Sequence, residues 1–337
     1  MSIDAAERVA LGRANSRVPR NRLTWAEIQP LVVPLWLGAE NPGADKGATL
    51  LADELAERWN REDREHLSRR LQPAESIPVP EPHDARERLH QANLGFLAEV
   101  EITSEALANQ VAATISAGKL ALTLGGDHAI AIGTIAGAAR ACNKLGVIWF
   151  DTHPDINTPS TSPSGHIHGM PLGVAIGEAE HELPSLTGLV DRVPMVQPEN
   201  VCMLGIRDID PAEARRIREL GIWALSMDEW SDLGIMEGVR AALQHLRATK
   251  VDGIHISFDV DVLDPTIMPG TGTRWPGGLT VREASRALRE LAEWDLPIHS
   301  LDFVELNPDL DPQGSAGQST LVATSLLATA LGERMYM

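Results

Sequence analysis

Cysteine is scarce in this sequence, with Cys142 and Cys202 alone in 337 residues. Both lie in apolar stretches, so buried thiols are expected rather than a disulfide, which suits a reducing, cytoplasmic setting. No stretch reaches the roughly 20 apolar residues of a membrane-spanning helix. The opening MSIDAAERVALGRANSRVPR lacks the apolar core of a secretory signal, so neither export nor a membrane partner is expected. Positive charge is in deficit, with 29 Lys and Arg against 47 Asp and Glu and a net charge of −18. That balance argues against nucleic acid or an anionic membrane as a partner. It suits a cationic small molecule or metal ions, although an acidic surface serves equally to keep a chain soluble. Internal repeats and low-complexity tracts are also missing.

What remains is an apolar fraction of 43%, enough for a substantial core. Residues 1–25 read as a polar arm and 26–337 as one domain. Gln29–Leu37 reads as a first buried strand interrupted by Pro30 and Pro34, and Ala44–Asn60 has helical spacing. Leu71–Ala85, with Pro73, Pro78, Pro80 and Pro82, reads as a surface loop. Ser104–Gly118 reads as an amphipathic helix, with Ser104 as N-cap and Gly118 as stop. Short apolar runs follow: LALTLGG (120–126), GVIWFD (146–151), VCMLGI (201–206), GIHISFD (253–259) and IHSLDFVEL (298–306). Helical patterns such as Pro211–Leu220 and Val281–Trp294 come between or after them. Apolar strands that do not alternate are buried on both faces, so the pattern predicts an α/β fold with a mostly parallel sheet covered on both sides. In such sheets the site lies beyond the carboxyl ends of the strands, which makes the polar residues there the ones to examine.

Three strand ends carry one kind of chemistry. LALTLGGDH ends at His128, GVIWFDTHPD delivers Asp151, His153 and Asp155, and GIHISFDVD delivers Asp259 and Asp261. Residues two apart on an extended chain share a face, so each run converges on one point. Two imidazoles and four carboxylates are too many for one tetrahedral zinc. They suit two hard ions side by side, with Mn²⁺ or a similar ion favoured over zinc or copper by the oxygen-rich set. Without cations, four neighbouring carboxylates raise one another's pKa strongly. A lone Asp or His at a strand end is usually a cap or turn former; six on three strand ends are a constellation. The established use of a two-metal site is to activate water near neutral pH and orient it against an electrophile. Phosphoesters and amides are served by the same equipment, and spacing alone does not choose.

At these residues the chain resembles the ureohydrolase family of arginases, agmatinases and relatives, and its motifs are most similar to bacterial arginases. The resemblance runs from about Val32 to the C-terminus through GGDHAI (125–130), FDTHPDINTP (150–159), SGHIHGMPL (164–172), SFDVDVLDP (257–265), GTGTRWPGGLT (270–280) and LDFVELNP (301–308). The closing GERMYM looks arginase-like too. The resemblance implies a three-layer α/β/α fold and two Mn²⁺ per subunit, with Ni²⁺ or Co²⁺ as substitutes. One ion takes His128, Asp151, Asp155 and Asp259. The other takes His153, Asp151, Asp259 and Asp261, so that Asp151 and Asp259 bridge. His168 matches the histidine that passes a proton to the leaving amine, a role suited to a group titrating near neutrality; by itself it reads as a loop histidine. Glu305 matches the glutamate that pairs with the guanidinium, for which a carboxylate has the complementary geometry; by itself it is a glutamate near a strand end. Thr273 matches the threonine beside the activated water.

By the same resemblance the loop after the D-x-H-x-D run holds the substrate. Asn157, Ser162 and Ser164 stand where arginases place polar residues for the α-carboxylate. Asp210 matches the aspartate that meets the α-amino group, with Glu213 nearby, although Asp210 reads equally as a helix N-cap before Pro211. His166 departs from the pattern, standing where arginases usually carry an asparagine. Arg274-Trp275 departs also, where a proline and small apolar residues are common. LWLGAENPGADKGA is an irregular version of the family's opening glycine-rich segment. The resemblance therefore implies hydrolysis of L-arginine to L-ornithine and urea. Another guanidino compound (guanidinobutyrate, agmatine, guanidine or a substituted biguanide) is the alternative. A non-catalytic subunit supporting a paralogue is a further one, but such a chain is expected to have lost ligands. A phosphoesterase lacks support, since no basic cluster stands near the strand ends. Family relatives assemble as trimers or hexamers, so a homo-oligomer is implied, and a hetero-oligomer with a paralogue is the variant of that reading.

Overall fold

The protein is described from a computed structural model that covers residues 25–61, 64–82, 84, 93–294 and 296–334. The expected polar arm falls almost wholly outside the described residues, as do the last three of GERMYM.

One eight-stranded sheet organises the fold. Its strands are β1 (Ile28–Val33), β2 (Glu75–Ser76), β3 (Leu120–Gly125), β4 (Leu145–Phe150), β5 (Val201–Ile206), β6 (Trp223–Ser226), β7 (Gly253–Asp259) and β8 (Ile298–Val304). Their order in the sheet is β2-β1-β3-β8-β7-β4-β5-β6. Every pairing is parallel. Parallel neighbours need long crossovers, and these supply helices to both faces. Strands β1, β3, β4, β5 and β8 supply apolar side chains to both of the cores that flank the sheet. In β4, Ile148 and Phe150 join one cluster while Val147 and Trp149 join the other. The first face is covered by α1 (Ala44–Trp59), α5 (Met227–Leu233), α6 (Ile235–Thr249), α7 (Val281–Glu293) and α8 (Gln318–Ala330). The opposite face carries α2 (Leu97–Ser116), α3 (Ala131–Ala141) and α4 (Pro211–Leu220). The result is the three-layer α/β/α architecture expected.

Helix boundaries follow local chemistry. α4 starts at the N-cap Asp210 with Pro211 at N1 and stops at Gly221, whose φ of 67° is the left-handed conformation that favours glycine. At α7 the Thr280 hydroxyl accepts the Glu283 N–H and Glu283 accepts the Thr280 N–H, a reciprocal cap.

Three expectations shift. The first strand ends at Val33, not Leu37, because Pro34 interrupts pairing; Leu35 N–H turns back to Val33 O. Helix α2 begins at Leu97, so Ser104 lies buried inside it rather than capping it. Leu97, Val100, Leu107 and Val111 continue one apolar face through that position, and burial there outweighs serine's capping preference. The proline-rich loop holds the two-residue strand β2 against Leu31 and Val32. Strand β6 was not foreseen.

The chain builds β1 to β3 outward from one side and β4 to β6 from the other. β7 and β8 then fill the gap between β3 and β4. That is the switch point of the sheet, and four central strands end there together.

Candidate active site

His128 follows β3, Asp151, His153 and Asp155 follow β4, Asp259 and Asp261 follow or end β7, and Glu305 follows β8. These four strands are adjacent, so all six candidate ligands meet at one sheet end. Gly126 makes the approach of β3 possible, since a Cβ there would lie 1.8 Å from Leu35 O.

The six residues form two overlapping groups. His128 Nδ1 lies 3.0 Å from Asp151 Oδ2, 3.2 Å from Asp155 Oδ2 and 3.1 Å from Asp259 Oδ2. His153 Nδ1 lies 3.3 Å from Asp151 Oδ1 and 3.2 Å from Asp261 Oδ2. Asp151 belongs to both groups, one oxygen to each. Within His128–Asp151–Asp259 and within Asp151–His153–Asp261, one ligand atom per residue falls within 4.8 Å of the others. Backbone amides aim the carboxylates: Asp151 Oδ1 accepts the His153 N–H at 2.7 Å and Asp259 Oδ1 accepts the Asp261 N–H at 2.7 Å.

Hydrogen bonding behind His128 shows what the group is built to hold. Ser257 Oγ donates to Asp302 Oδ1 at 2.5 Å, so it accepts from His128 Nε2–H at 2.7 Å. The His128 ring stacks on Trp149 with centroids 4.1 Å apart and planes at 3°. Asp302 is further held by Thr134 and His255. This tautomer points the Nδ1 lone pair at three carboxylate oxygens. Among the described residues neither His128 Nδ1 nor Asp151 Oδ2 has a hydrogen-bond partner, and both are buried. A lone pair facing buried anions is repulsive unless positive charge sits between them, so the donor set fits a metal ion. The His153 group shares Asp151 with the His128 group.

Electrostatics point the same way. Burial pushes the Asp259 carboxyl well up, and the charges of Asp261 and Asp151 add to that. Asp155 rises to about 6 through burial and the Asp151 charge. Burial alone lowers the imidazoles of His128 and His153, but the facing carboxylates reverse this and hold both well above the ordinary histidine range. The cluster demands cations in whatever form.

Around it, His168 Nδ1 lies 3.1 Å from Glu305 Oε1, which also accepts the His128 N–H at 2.9 Å. Burial lowers His168, yet its hydrogen bond and ion pairing with Glu305 raise it to about 9. Thr273 Oγ1 donates to Asp261 Oδ2 at 3.0 Å. Asp155 and Glu305 have φ of 51° and 66°, left-handed values that cost a non-glycine residue energy and cluster where geometry serves function.

A cleft of about 110 Å³ opens onto this centre, lined by His128, His153, Asp155, Asp259, His168 and Thr273 together with the rim residues Asn157, Ser162, Ser164, Asp210 and Glu213. Asn157 Nδ2 donates to Asp210 Oδ2 at 2.9 Å. Glu213 accepts the N–H groups of Ile156 and Asp210, and burial with the Asp155 charge lifts its carboxyl to about 8. Asp210 is therefore both the N-cap of α4 and a cleft residue. Ser162 and Ser164 bond the backbone of their own loop, accepting from Gly165 N–H and His166 N–H. His166 is not among the residues that line the cleft. Its Nε2 lies 3.9 Å from buried Glu40, and its ring centroid is 6.0 Å from that of His168.

Several residues at the site carry no signal in the sequence. Asp127, inside the GGDH run, is fully buried; its Oδ2 accepts the Gly38 and Ala39 N–H groups and fixes the loop after β1. Burial and the Glu305 charge push its carboxyl to about 7. Ser257, Asp302 and His255 were hidden in strands, where alternation with apolar neighbours gave no signal.

A sequence model of the arginase family matches residues 31–332. The chain is 39% identical to the arginase of Bacillus caldovelox over 306 residues, 90% of this chain and 97% of that one. It is 37% identical to the arginase of Bacillus subtilis strain 168 over 310 residues, 91% of this chain and 98% of that one. The crystal structure of the Bacillus caldovelox arginase superposes with a TM-score of 0.82 at 38% identity, covering 92% of this chain and 100% of that one. The Entamoeba histolytica arginase, crystallised with L-ornithine, superposes at 0.80 with 28% identity, covering 93% and 100%.

Proposed function

The chain belongs to the arginase family and is a metal-binding hydrolase of C–N bonds in linear amidines; from that premise we propose that it holds two divalent ions, Mn²⁺ first among them, and converts L-arginine to L-ornithine and urea. One observation carries the reading: Asp151 offers one oxygen to the His128 group and the other to the His153 group. His128, Asp151, Asp155 and Asp259 would hold one ion, and His153, Asp151, Asp259 and Asp261 the other. When bound, the pair supplies Lewis-acid activation of water near neutral pH.

The chain's own residues do the rest. Glu305 Oε1 is committed to His128 N–H and His168, leaving Oε2 to accept from the guanidinium and orient its carbon toward the cluster. Thr273 hydrogen-bonds Asp261 and fixes the wall beside the water. His168 keeps its Nδ1 proton against Glu305, so the proton available to the departing amine sits on Nε2. Asn157, Ser162 and Ser164 meet the α-carboxylate, and Asp210 with Glu213 meets the α-amino group. The protein acts in this reading as a cytoplasmic homo-oligomer.

A second reading, another guanidino compound as substrate, is favoured by His166, which faces Glu40 rather than the cleft rim. The test is a panel of guanidino compounds assayed for urea with the purified chain and Mn²⁺, metal content measured alongside. Urea from L-arginine at the highest kcat/KM supports the first reading, and urea from another compound alone supports the second. No urea from any, with two ions bound, supports the non-catalytic subunit and sinks both.

A further inference from the structure

Three chain segments bring residues to the proposed second ion position: the Asp151–Asp155 turn, the Asp259–Leu263 turn and the Gly270–Gly278 loop that carries Thr273. Arg207, just after β5, touches all three. Its backbone N–H donates to Thr152 O at 2.9 Å. From the guanidinium, Nη2 donates to Asp261 O at 2.9 Å, Leu263 O at 3.2 Å and Trp275 O at 2.9 Å. Nη1 donates to Val262 O at 3.2 Å and Gly205 O at 3.4 Å, and Nε donates to Pro276 O at 3.2 Å. The fork is thus spent on six main-chain carbonyls. Lysine, with a single ammonium, has no such planar set of donors. The loop is cut to fit, since a Cβ at Gly278 would fall 2.6 Å from Arg207 Nη2 and 2.5 Å from the Leu263 carbonyl carbon.

We propose that Arg207 is a positioning residue for one ion of the pair: by clamping the 261–263 and 275–276 carbonyls together it holds Asp261, and Thr273 bonded to it, where the His153 group can close around a cation. This rests on the binuclear reading above. The His128 group is anchored otherwise, by Ser257, Trp149 and the strands themselves. Losing the fork therefore unsettles one half of the site selectively.

The test uses the full chain stripped of metal, with Mn²⁺ alone as probe. Arg207→Lys and Arg207→Gln are compared with Arg58→Lys, which lies at a C-terminal ion pair with Glu333. Read out are bound Mn²⁺ per chain, the affinity of each ion, the exchange-coupled electron paramagnetic resonance signal of a Mn²⁺ pair, circular dichroism and Tm. Both Arg207 variants should keep one ion at near wild-type affinity, bind the other at least about tenfold more weakly, and lose the coupled signal. Arg58→Lys should change Tm and leave both ions in place. Parallel loss of both ions, retention of a wild-type pair, or failure of both Arg207 variants to fold each overturns the inference. Retention of a wild-type pair refutes Arg207's role alone, whereas a wild-type chain that binds a single ion refutes the binuclear reading beneath it.

Discussion

Replacing Ser257 with alanine should weaken binding of the His128-side ion by about 10- to 100-fold, or roughly 1.4–2.7 kcal/mol, while the fold survives. The size follows from what one hydroxyl does. Its proton goes to Asp302 Oδ1 at 2.5 Å, and it accepts His128 Nε2–H at 2.7 Å. That pairing keeps the His128 proton on Nε2 and the lone pair on Nδ1, where three carboxylate oxygens converge. Alanine leaves the ring stacked on Trp149 but frees its tautomer. It also strands His128 Nε2 and Asp302 Oδ1 away from water, at about 1–3 kcal/mol of stability for each buried group left unmade. Asp302 keeps Thr134 and His255 on its other oxygen, which limits the damage. Mn²⁺ titration of the metal-free protein against a competing chelator reads the affinity, and thermal unfolding reads the stability. A folded variant with wild-type affinity for both ions would refute the claim that Ser257 sets the His128 tautomer.

Asp261→Asn should lower bound Mn²⁺ from two ions per chain toward one by elemental analysis; two ions with full activity would show that the ligand grouping is wrong. In metal-free protein the His168–Glu305 pair should be visible as pH dependence. The folded pKa of about 9 stands above the ordinary 6.5, so the pairing stabilises fully below pH 6.5 and is lost as pH rises through 9. The shift corresponds to on the order of 3 kcal/mol. Glu305→Gln should bring the His168 titration, followed by imidazole NMR, back toward 6.5; an unchanged titration would remove Glu305 as its cause. Gly126→Ala should destabilise by more than about 3 kcal/mol in chemical unfolding, because a Cβ 1.8 Å from Leu35 O forces backbone apart where β3 turns into His128. A change under 1 kcal/mol would show that the turn yields.

The sequence by itself determined the five buried strands that carry the motifs and the kinds of side chain that follow them. A buried parallel strand is an apolar run with little alternation, and β3, β4, β5, β7 and β8 stand within a residue or two of the runs read for them. The candidate ligands are equally legible because, although a single carboxylate or imidazole after such a run is usually a cap or turn former, six of them after three runs are not. Capping was legible where it governed alone, as at Asp210 and Thr280, and misleading at Ser104, where burial of an entire helix face overrode a local preference. Tertiary structure decided the rest. Adjacency of β3, β8, β7 and β4 follows from the order in which the chain fills the sheet, a matter of long-range pairing that no local pattern encodes. Only that order sets Asp151 between two imidazoles contributed by different strands. Ser257, Asp302, Asp127 and Arg207 likewise became visible through contacts 45 to 129 residues apart, 54 for Arg207 with Asp261. Hydrogen bonds depend on distance in space, and residue types in a row carry no record of it.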